Sequence, residues 1–258
     1  MDTGLRGRVA VVTAAGSGIG LSTVDALLEE GARVVGADID TRALRERPGV
    51  LPVEADLLDD SAAGSLIETA LTEHGRVDVL VNGVGGGQPM PDRLLNSSPE
   101  DWRRTFELNV FTMIKVTQAA LPHMISAGGG VIVSISSDAA SEPEPDFFDY
   151  SAAKAAIVNI SKSIATAYGP RGIRSSVVLP SLIRTPMTEG FIAAVAQELG
   201  ADREAAEAHI AEHIKEVPLR RIGDPRDVAR VIVFLASDGA AYVTGGAHRV
   251  DGGRIPTV

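Results

Sequence analysis

The chain has 258 residues, 45% of them hydrophobic, which suits one α/β domain with a sizeable core and excludes a disordered polymer. A formal net charge of -10 repels phosphate backbones, so neither nucleic acid nor an anionic membrane surface is expected as a partner. The absence of cysteine excludes disulfides, Cys-ligated zinc, iron–sulfur clusters and thiol nucleophiles. No apolar run reaches the ~20 residues of a bilayer span, and the first apolar stretch leads into a glycine-rich turn rather than a cleavage site; a cytoplasmic protein is the expectation.

Strand-like runs alternate with helical composition along the whole chain. Val9–Thr13 precedes a helix over Gly20–Glu30. Arg33–Asp38 and Val50–Glu54 follow as strands, then a helix over Ser61–Glu73 and a strand over Val77–Asn82. A helix over Asp101–Met124, a strand over Val131–Ser136, a helix over Tyr150–Tyr168 and strands over Ser175–Leu179 and His248–Val250 complete the series. The strand runs are continuously apolar rather than alternating, as expected when both sheet faces are covered. The pattern predicts a single-domain, Rossmann-type doubly wound parallel sheet of about seven strands. One Ala/Glu-rich helical stretch, Thr185–Val217, interrupts the rhythm after the sixth strand. It starts at a strand's carboxyl end, where such sheets bind ligands, so a substrate lid is one reading and a surface helical hairpin the other.

The first strand runs into Ala14-Ala-Gly16-Ser17-Gly18-Ile19-Gly20 and then a helix. Glycines at a strand-to-helix turn let the backbone approach a pyrophosphate, while the helix N-terminus offers N–H donors and partial positive charge. Asp38 closes the next strand. A carboxylate there accepts hydrogen bonds from a ribose 2′-hydroxyl and repels a 2′-phosphate. No Arg or Lys lies in 14–20 or 39–41, and Arg42 is the nearest cation, so NAD is expected over NADP. Asp38 or Asp40 as a plain helix cap is the competing reading.

With only three tyrosines and four lysines in the chain, the Tyr150-Ser-Ala-Ala-Lys154 pairing stands out. Four-residue spacing on a helix puts both side chains on one face. An ammonium there is expected to lower the phenol's pKa from about 10 toward working pH and fit it for proton transfer to or from an alcohol oxygen. The same spacing also arises on an ordinary solvated face.

Taken together, the glycine turn, Asn82, Asn109, Ser137, Tyr150/Lys154, the Pro180–Pro186 segment and the run 242–253 resemble the short-chain dehydrogenase/reductase family, in order and over nearly the whole chain. The resemblance implies hydride transfer between a nicotinamide and a secondary alcohol or ketone. It assigns Tyr150 as general acid/base, Ser137 to the substrate oxygen, Lys154 to the nicotinamide ribose and the phenol, and Asn109 to a water-mediated proton relay. Ser136 is the rival serine, with the 13-residue spacing to Tyr150 favouring Ser137. Further cofactor contacts implied are Gly16, Ser17, Gly18, Ile19 and Gly20 at the pyrophosphate, and Asp56 with Leu57 at the adenine. Asn82 and Gly83 would lie along the adenosine ribose, and Pro180, Ile183 and Thr185 at the nicotinamide amide. Five positions depart from the pattern: Ala14 replaces the first glycine of the turn, which is harmless only if its φ stays negative. Gly83-Val84 replaces Asn-Ala, and Ser176 and Ser181 replace Asn and Gly. The resemblance also implies a homotetramer built across the Asp101–Met124 and Tyr150–Tyr168 helices, with the Gly252–Val258 tail able to join an interface.

Other readings are weaker. His209-Ile-Ala-Glu-His213 spells an inverted zinc-protease pattern, yet an Ala/Glu-rich helix generates it readily and no third ligand is evident, so no metal is expected. A non-catalytic dinucleotide sensor would be expected to lose Tyr150 or Lys154, and isomerases and dehydratases use related folds. For the substrate, Asp138, Glu142, Glu144, Asp146 and Asp149 between Ser137 and Tyr150 either face solvent or disfavour anionic carriers. Pro143, Pro145, Phe147 and Phe148 offer an apolar wall, and Arg184 could pair with a substrate carboxylate.

Overall fold

The computed structural model describes residues 3–256; Thr257 and Val258 of the expected tail contact lie outside them. Seven strands, β1 (Val9–Thr13), β2 (Arg33–Asp38), β3 (Val50–Glu54), β4 (Val79–Asn82), β5 (Gly130–Ile135), β6 (Ile173–Pro180) and β7 (Ala247–Val250), form one sheet in the order β3-β2-β1-β4-β5-β6-β7. Every pairing is parallel. Pro52, which has no N–H to give a ladder, is accommodated because β3 is an edge strand.

The helices are α1 (Gly18–Glu29), α2 (Arg42–Arg45), α3 (Ala62–His74), α4 (Arg93–Asn96), α5 (Pro99–Phe106), α6 (Thr112–Ser126), α7 (Phe148–Tyr168), α8 (Pro186–Leu199), α9 (Arg203–His209) and α10 (Pro225–Ala236). Alternate side chains of the central strands feed two separate cores, because successive residues of a strand point to opposite faces. Ala10, Val12 and Val34 pack with Val24 and Leu27 of α1 and Val228 and Ile232 of α10. Val11 and Val35 pack with Leu66 and Ile67 of α3 and Val116 and Ala120 of α6. All are essentially fully buried, which explains the uninterrupted apolar runs.

The stretch expected as one helix over Asp101–Met124 is divided. α5 and α6 are joined by a π-helical turn, Glu107–Phe111, with Asn109 inside it. Such bulges arise where a side chain takes over part of the backbone ladder, and Asn109 Nδ2 donates to Thr105 O at 2.9 Å. The insert after β6 folds as α8 and α9, packed on each other through Ile192, Val195, Ala206 and Ile210. Among the described residues no helix is long and apolar enough to cross a membrane. Strand order reverses between β1 and β4, so their carboxyl ends diverge and open a crevice there.

Candidate active site

The turn after β1 enters that crevice. Ala14 adopts φ +52, contrary to the negative φ that would make alanine harmless there. The Ala15 N–H donates to Ala37 O at 3.0 Å and the Ala15 side chain is fully buried, so the chain is held in the left-handed region, which costs an L-residue about 1–2 kcal/mol. Gly18 has φ +53 and lies where a Cβ would come within 3.1 Å of Thr185 Cγ2. Ser17 starts α1 without a side-chain capping bond. The N-terminal residues Gly18, Ile19 and Gly20 therefore line a cavity of about 300 Å³ shared with Gly83, Ser137, Tyr150, Lys154, Pro180, Ile183 and Thr185.

A second cavity of about 270 Å³ adjoins the turn, bounded by Ala14, Asp38, Asp56, Leu57, Val84 and Gly85. Asp38 accepts from the N–H groups of Gly16 (2.8 Å) and Asp40 (3.0 Å), tying the glycine turn to the end of β2. Asp56 accepts from Leu58 N–H at 3.0 Å, and Leu57 is buried. Arg42, the nearest cation in sequence, is paired with Asp40. The Asn82 side chain is buried and donates to Thr117 Oγ1 at 3.2 Å, so it braces the sheet end; Gly83 N–H donates to Thr13 Oγ1 at 2.9 Å.

Where β5 ends, the two serines divide. Ser136 Oγ donates to Lys154 O at 2.7 Å, fixing α7 against the strand, while Ser137 lines the same cavity as Tyr150, close enough to act on its phenol, and its Oγ donates to Asp138. The structure thus selects Ser137 as the serine facing the tyrosine. Lys154 is buried one turn after Tyr150, with Nζ 5.4 Å from the ring centroid and donating to Ile135 O at 3.2 Å. Asn109 reaches the same place from the π turn: its Oδ1 accepts from Gly86 N–H (3.1 Å) and its Nδ2 donates to Gly86 O (2.9 Å). Two positions of this loop, Gly85 and Gly87, leave no room for a side chain. A Cβ on Gly85 would lie 2.6 Å from Asn109 Oδ1 and 2.7 Å from Lys154 Nζ, and one on Gly87 would lie 2.7 Å from Tyr150 Cδ2.

The electrostatics correct the expected acidic phenol. Burial pushes Tyr150 up to about 12, Asp138 and Glu144 add to the rise, and the Ser137 hydrogen bond only partly opposes it. Burial lowers Lys154 to about 8. Both shifts arise mainly from desolvation, which disfavours the charged form of each group.

The acids before Tyr150 separate by environment. Glu142 and Asp146 are exposed, but Asp138 is buried and accepts from Ser137 Oγ (2.9 Å) and Arg254 Nη1 (2.6 Å). Glu144 accepts from Lys215 at 2.6 Å. Asp149 faces neither solvent nor cleft: it is buried against Arg93. Of the proposed apolar wall, Phe147 meets the Tyr150 ring edge-on at 5.9 Å, while Phe148, Pro143 and Pro145 are exposed. A cavity of about 730 Å³ opens beside them, lined among others by Glu142, Glu144, Phe147, Lys215 and Arg254. Arg184 is not available to a carboxylate ligand, since its Nε and Nη2 are held by Glu207 at 3.1 and 2.5 Å. The His209 and His213 rings lie 5.0 Å apart, and among the described residues no third ligand joins them. Sequence reasoning missed Arg93, Thr105, Gly87 and Arg254. Only the position of Asp149 beside Tyr150 offered a signal for the first two.

A paired serine and tyrosine with a buried lysine, facing a glycine-turn crevice, define an oxidoreductase that works through a bound nicotinamide dinucleotide. By sequence the chain belongs to the short-chain dehydrogenase/reductase family, with residues 13–254 matching the family described as enoyl-(acyl carrier protein) reductase. It is 36% identical to the 2-keto-3-deoxy-L-fuconate dehydrogenase of Xanthomonas campestris pv. campestris, over 98% of this chain and 81% of that protein. The L-sorbose reductase of Gluconobacter frateurii, solved with NADPH and L-sorbose, superimposes with a TM-score of 0.92 at 31% identity, covering 100% of both chains. The 3-ketoacyl-(acyl-carrier-protein) reductase of Brucella melitensis, solved with NADH, gives 0.83 at 29% identity over 97% of this chain and 99% of that one. The chain is thus an oxidoreductase interconverting alcohols and carbonyl compounds.

Proposed function

We propose that this protein is an NAD-dependent dehydrogenase of a neutral, hydroxyl-rich secondary alcohol, with Tyr150 as general acid/base. The observation that carries the reading is the convergence of Tyr150, Ser137 and Lys154 on the cavity bordered by the Gly16–Gly20 turn. Bound nicotinamide supplies the hydride donor or acceptor. Ser137 orients the substrate oxygen, Tyr150 moves the proton there, and Lys154 holds the ribose side of the groove and carries positive charge toward the phenol. Asn109, fixed in the π turn, positions a relay water beside Lys154.

NAD is favoured because Asp38 stands at the end of β2 and the nearest cation in sequence, Arg42, is paired with Asp40. Asp56 and Leu57 border the adenine, Asn82 and Gly83 the adenosine ribose, and Pro180, Ile183 and Thr185 the nicotinamide amide. α8, whose first residues Pro186 and Met187 line the cavity, acts as the lid together with α9 packed on it. The cavity beside Phe147 supports the substrate class, since its carboxylates and cations offer both acceptors and donors to hydroxyl groups. The sugar-derived substrates in the names of the fuconate dehydrogenase and sorbose reductase are in keeping with this. A cytoplasmic homotetramer packed through α5–α6 and α7, faces that carry the exposed Phe111 and Phe148, completes the proposal; a light-scattering mass near the 26.9 kDa of one chain would overturn the assembly.

The test is a panel of polyols, sugars and ketones read by NADH absorbance, with NAD and NADP in parallel and Tyr150→Phe as control. Turnover with NAD that falls by orders of magnitude in Tyr150→Phe, with NADH binding retained, is expected. Wild-type kcat in that variant, or preference for NADP, would refute the corresponding assignment.

A further inference from the structure

The loop over the tyrosine and the start of its helix are joined by an ion pair remote from the reacting atoms. Arg93 opens α4, and Asp149 lies in the first turn of α7, immediately before Tyr150. Their side chains are 7% and 1% exposed. The contact is bidentate: Arg93 Nε donates to Asp149 Oδ1 and Nη2 to Oδ2, each at 2.5 Å. Two further donors complete the carboxylate, Thr105 Oγ1 to Oδ2 at 2.6 Å and the Tyr150 N–H to Oδ1 at 2.9 Å. Burial alone would push this carboxyl up. The bonds from Arg93, Thr105 and the Tyr150 N–H outweigh it and hold the group below the ordinary carboxylate range.

Three segments meet at this one carboxylate. Arg93 Nη1 also donates to Gln88 O at 3.0 Å, which anchors the glycine loop. Thr105 belongs to α5, and its carbonyl accepts from Asn109 Nδ2 at 2.9 Å; the same Nδ2 donates to Gly86 O. Gly87 lies between these anchors, against the Tyr150 ring. A closed path therefore runs from the Tyr150 backbone through Asp149, Arg93, Gln88 and the glycine loop to Asn109, and back through Thr105. A buried ion pair is a poor source of stability, because desolvating both charges offsets their attraction and a well-packed apolar pair serves as well. What a fork of fixed donors supplies that an apolar pair lacks is direction.

We propose that the Arg93–Asp149 pair is a positioning device for this reaction: it fixes the start of α7 and the loop over it, and so holds the Tyr150 hydroxyl in register with Ser137 and the Asn109 side chain in its relay position. Neither side chain lines the cavities beside the glycine turn. The proposal rests on Tyr150 being the proton-transfer group. The glycine turn, Asp38 and Thr185 lie outside the bonded path, so turnover is expected to depend on the pair far more than cofactor affinity does.

The test compares Asp149→Asn, Thr105→Val, and the apolar pair Arg93→Met with Asp149→Leu, each measured for kcat, substrate KM, NADH affinity by fluorescence, and Tm. Tyr150→Phe is assayed alongside. Asp149→Asn is expected to lose about a hundredfold in kcat, as follows from displacing a reacting group by ~1 Å, with NADH affinity within about twofold of wild type. Thr105→Val, which removes one of the four bonds, is expected to lose several-fold and remains informative if Asp149→Asn fails to fold. The apolar pair is expected to regain Tm but not kcat. Recovery of kcat together with Tm in the apolar pair would overturn the proposal, because packing alone would then suffice; so would wild-type kcat in Thr105→Val and Asp149→Asn. Turnover by Tyr150→Phe would instead overturn the acid/base assignment, and this proposal with it.

Discussion

Adjacent glycines offer a paired experiment on how closely the loop is fitted to the tyrosine. Neither Gly86 nor Gly87 has a positive φ, so alanine carries no backbone penalty at either and only the new methyl matters. At Gly86 its nearest neighbours would be Leu108 Cδ2 at 3.7 Å and Met187 Cε at 3.8 Å, ordinary contacts. At Gly87 the methyl would meet Tyr150 Cδ2, Cγ and Cβ at 2.7, 2.8 and 3.0 Å. Restoring normal carbon–carbon separation, about 3.5–4.0 Å, requires a shift of ~1 Å by the ring or the loop. The ring is packed edge-on against Phe147, and the loop is held by Asn109 and Arg93, so the strain falls on the reacting geometry. A displacement of that size costs about a hundredfold in rate, or ~2.7 kcal/mol at the transition state. Gly87→Ala should therefore lose about two orders of magnitude in kcat while Gly86→Ala stays within a few-fold of wild type. Steady-state rates normalised to NADH-binding sites measure this. Equal kcat in the two variants would refute the steric reasoning, and lost NADH binding in Gly87→Ala would place the clash elsewhere.

Two other substitutions probe the turn and the field around the phenol. Ala14→Gly relieves about 1–2 kcal/mol of left-handed strain and gives back about 0.4–1 kcal/mol in unfolded-state entropy, so a net gain of ~1 kcal/mol is expected, a rise of about 2–4 °C in Tm by calorimetry; a fall in Tm would contradict the strain assignment. Asp138 and Glu144 raise the Tyr150 pKa and Lys154 lies on the same face. Removing one negative charge with Glu144→Gln therefore lowers the phenol pKa, and the alkaline rise of kcat/KM for alcohol oxidation should move to lower pH. A shift to higher pH would reverse the sign of the coupling.

Much of the architecture was legible in the sequence because it depends on local rules. Continuous apolar runs set both-face burial of the strands, and glycines between strand and helix set the crevice. The Tyr150/Lys154 spacing alone put both groups on one face of α7. The single helix expected over Asp101–Met124 failed at Asn109, since a π turn is stabilised by bonds to Thr105 and to Gly86 from a different segment, and no helical periodicity encodes the latter. The same limit applies to Ala14. Its side-chain chemistry was plain, yet its φ is dictated by how Ala15 is buried and bonded to β2. Charge went furthest astray: a lysine four residues from a tyrosine predicts an acidic phenol in water, but burial in the fold raises that phenol to about 12.

Sequence thus determined the order and type of the elements, the placement of Tyr150 and Lys154 on one helix face, and the acidic residue at the end of β2. Tertiary structure alone decided which serine faces the tyrosine, where Arg184 and Asp149 spend their charge, and which glycines lie against the reacting side chains. The physical reason is range. Strand and helix patterns follow from neighbours a few residues apart, whereas desolvation and hydrogen-bond commitment depend on what packing brings from elsewhere, as Arg93 is brought to Asp149 across 56 residues of chain.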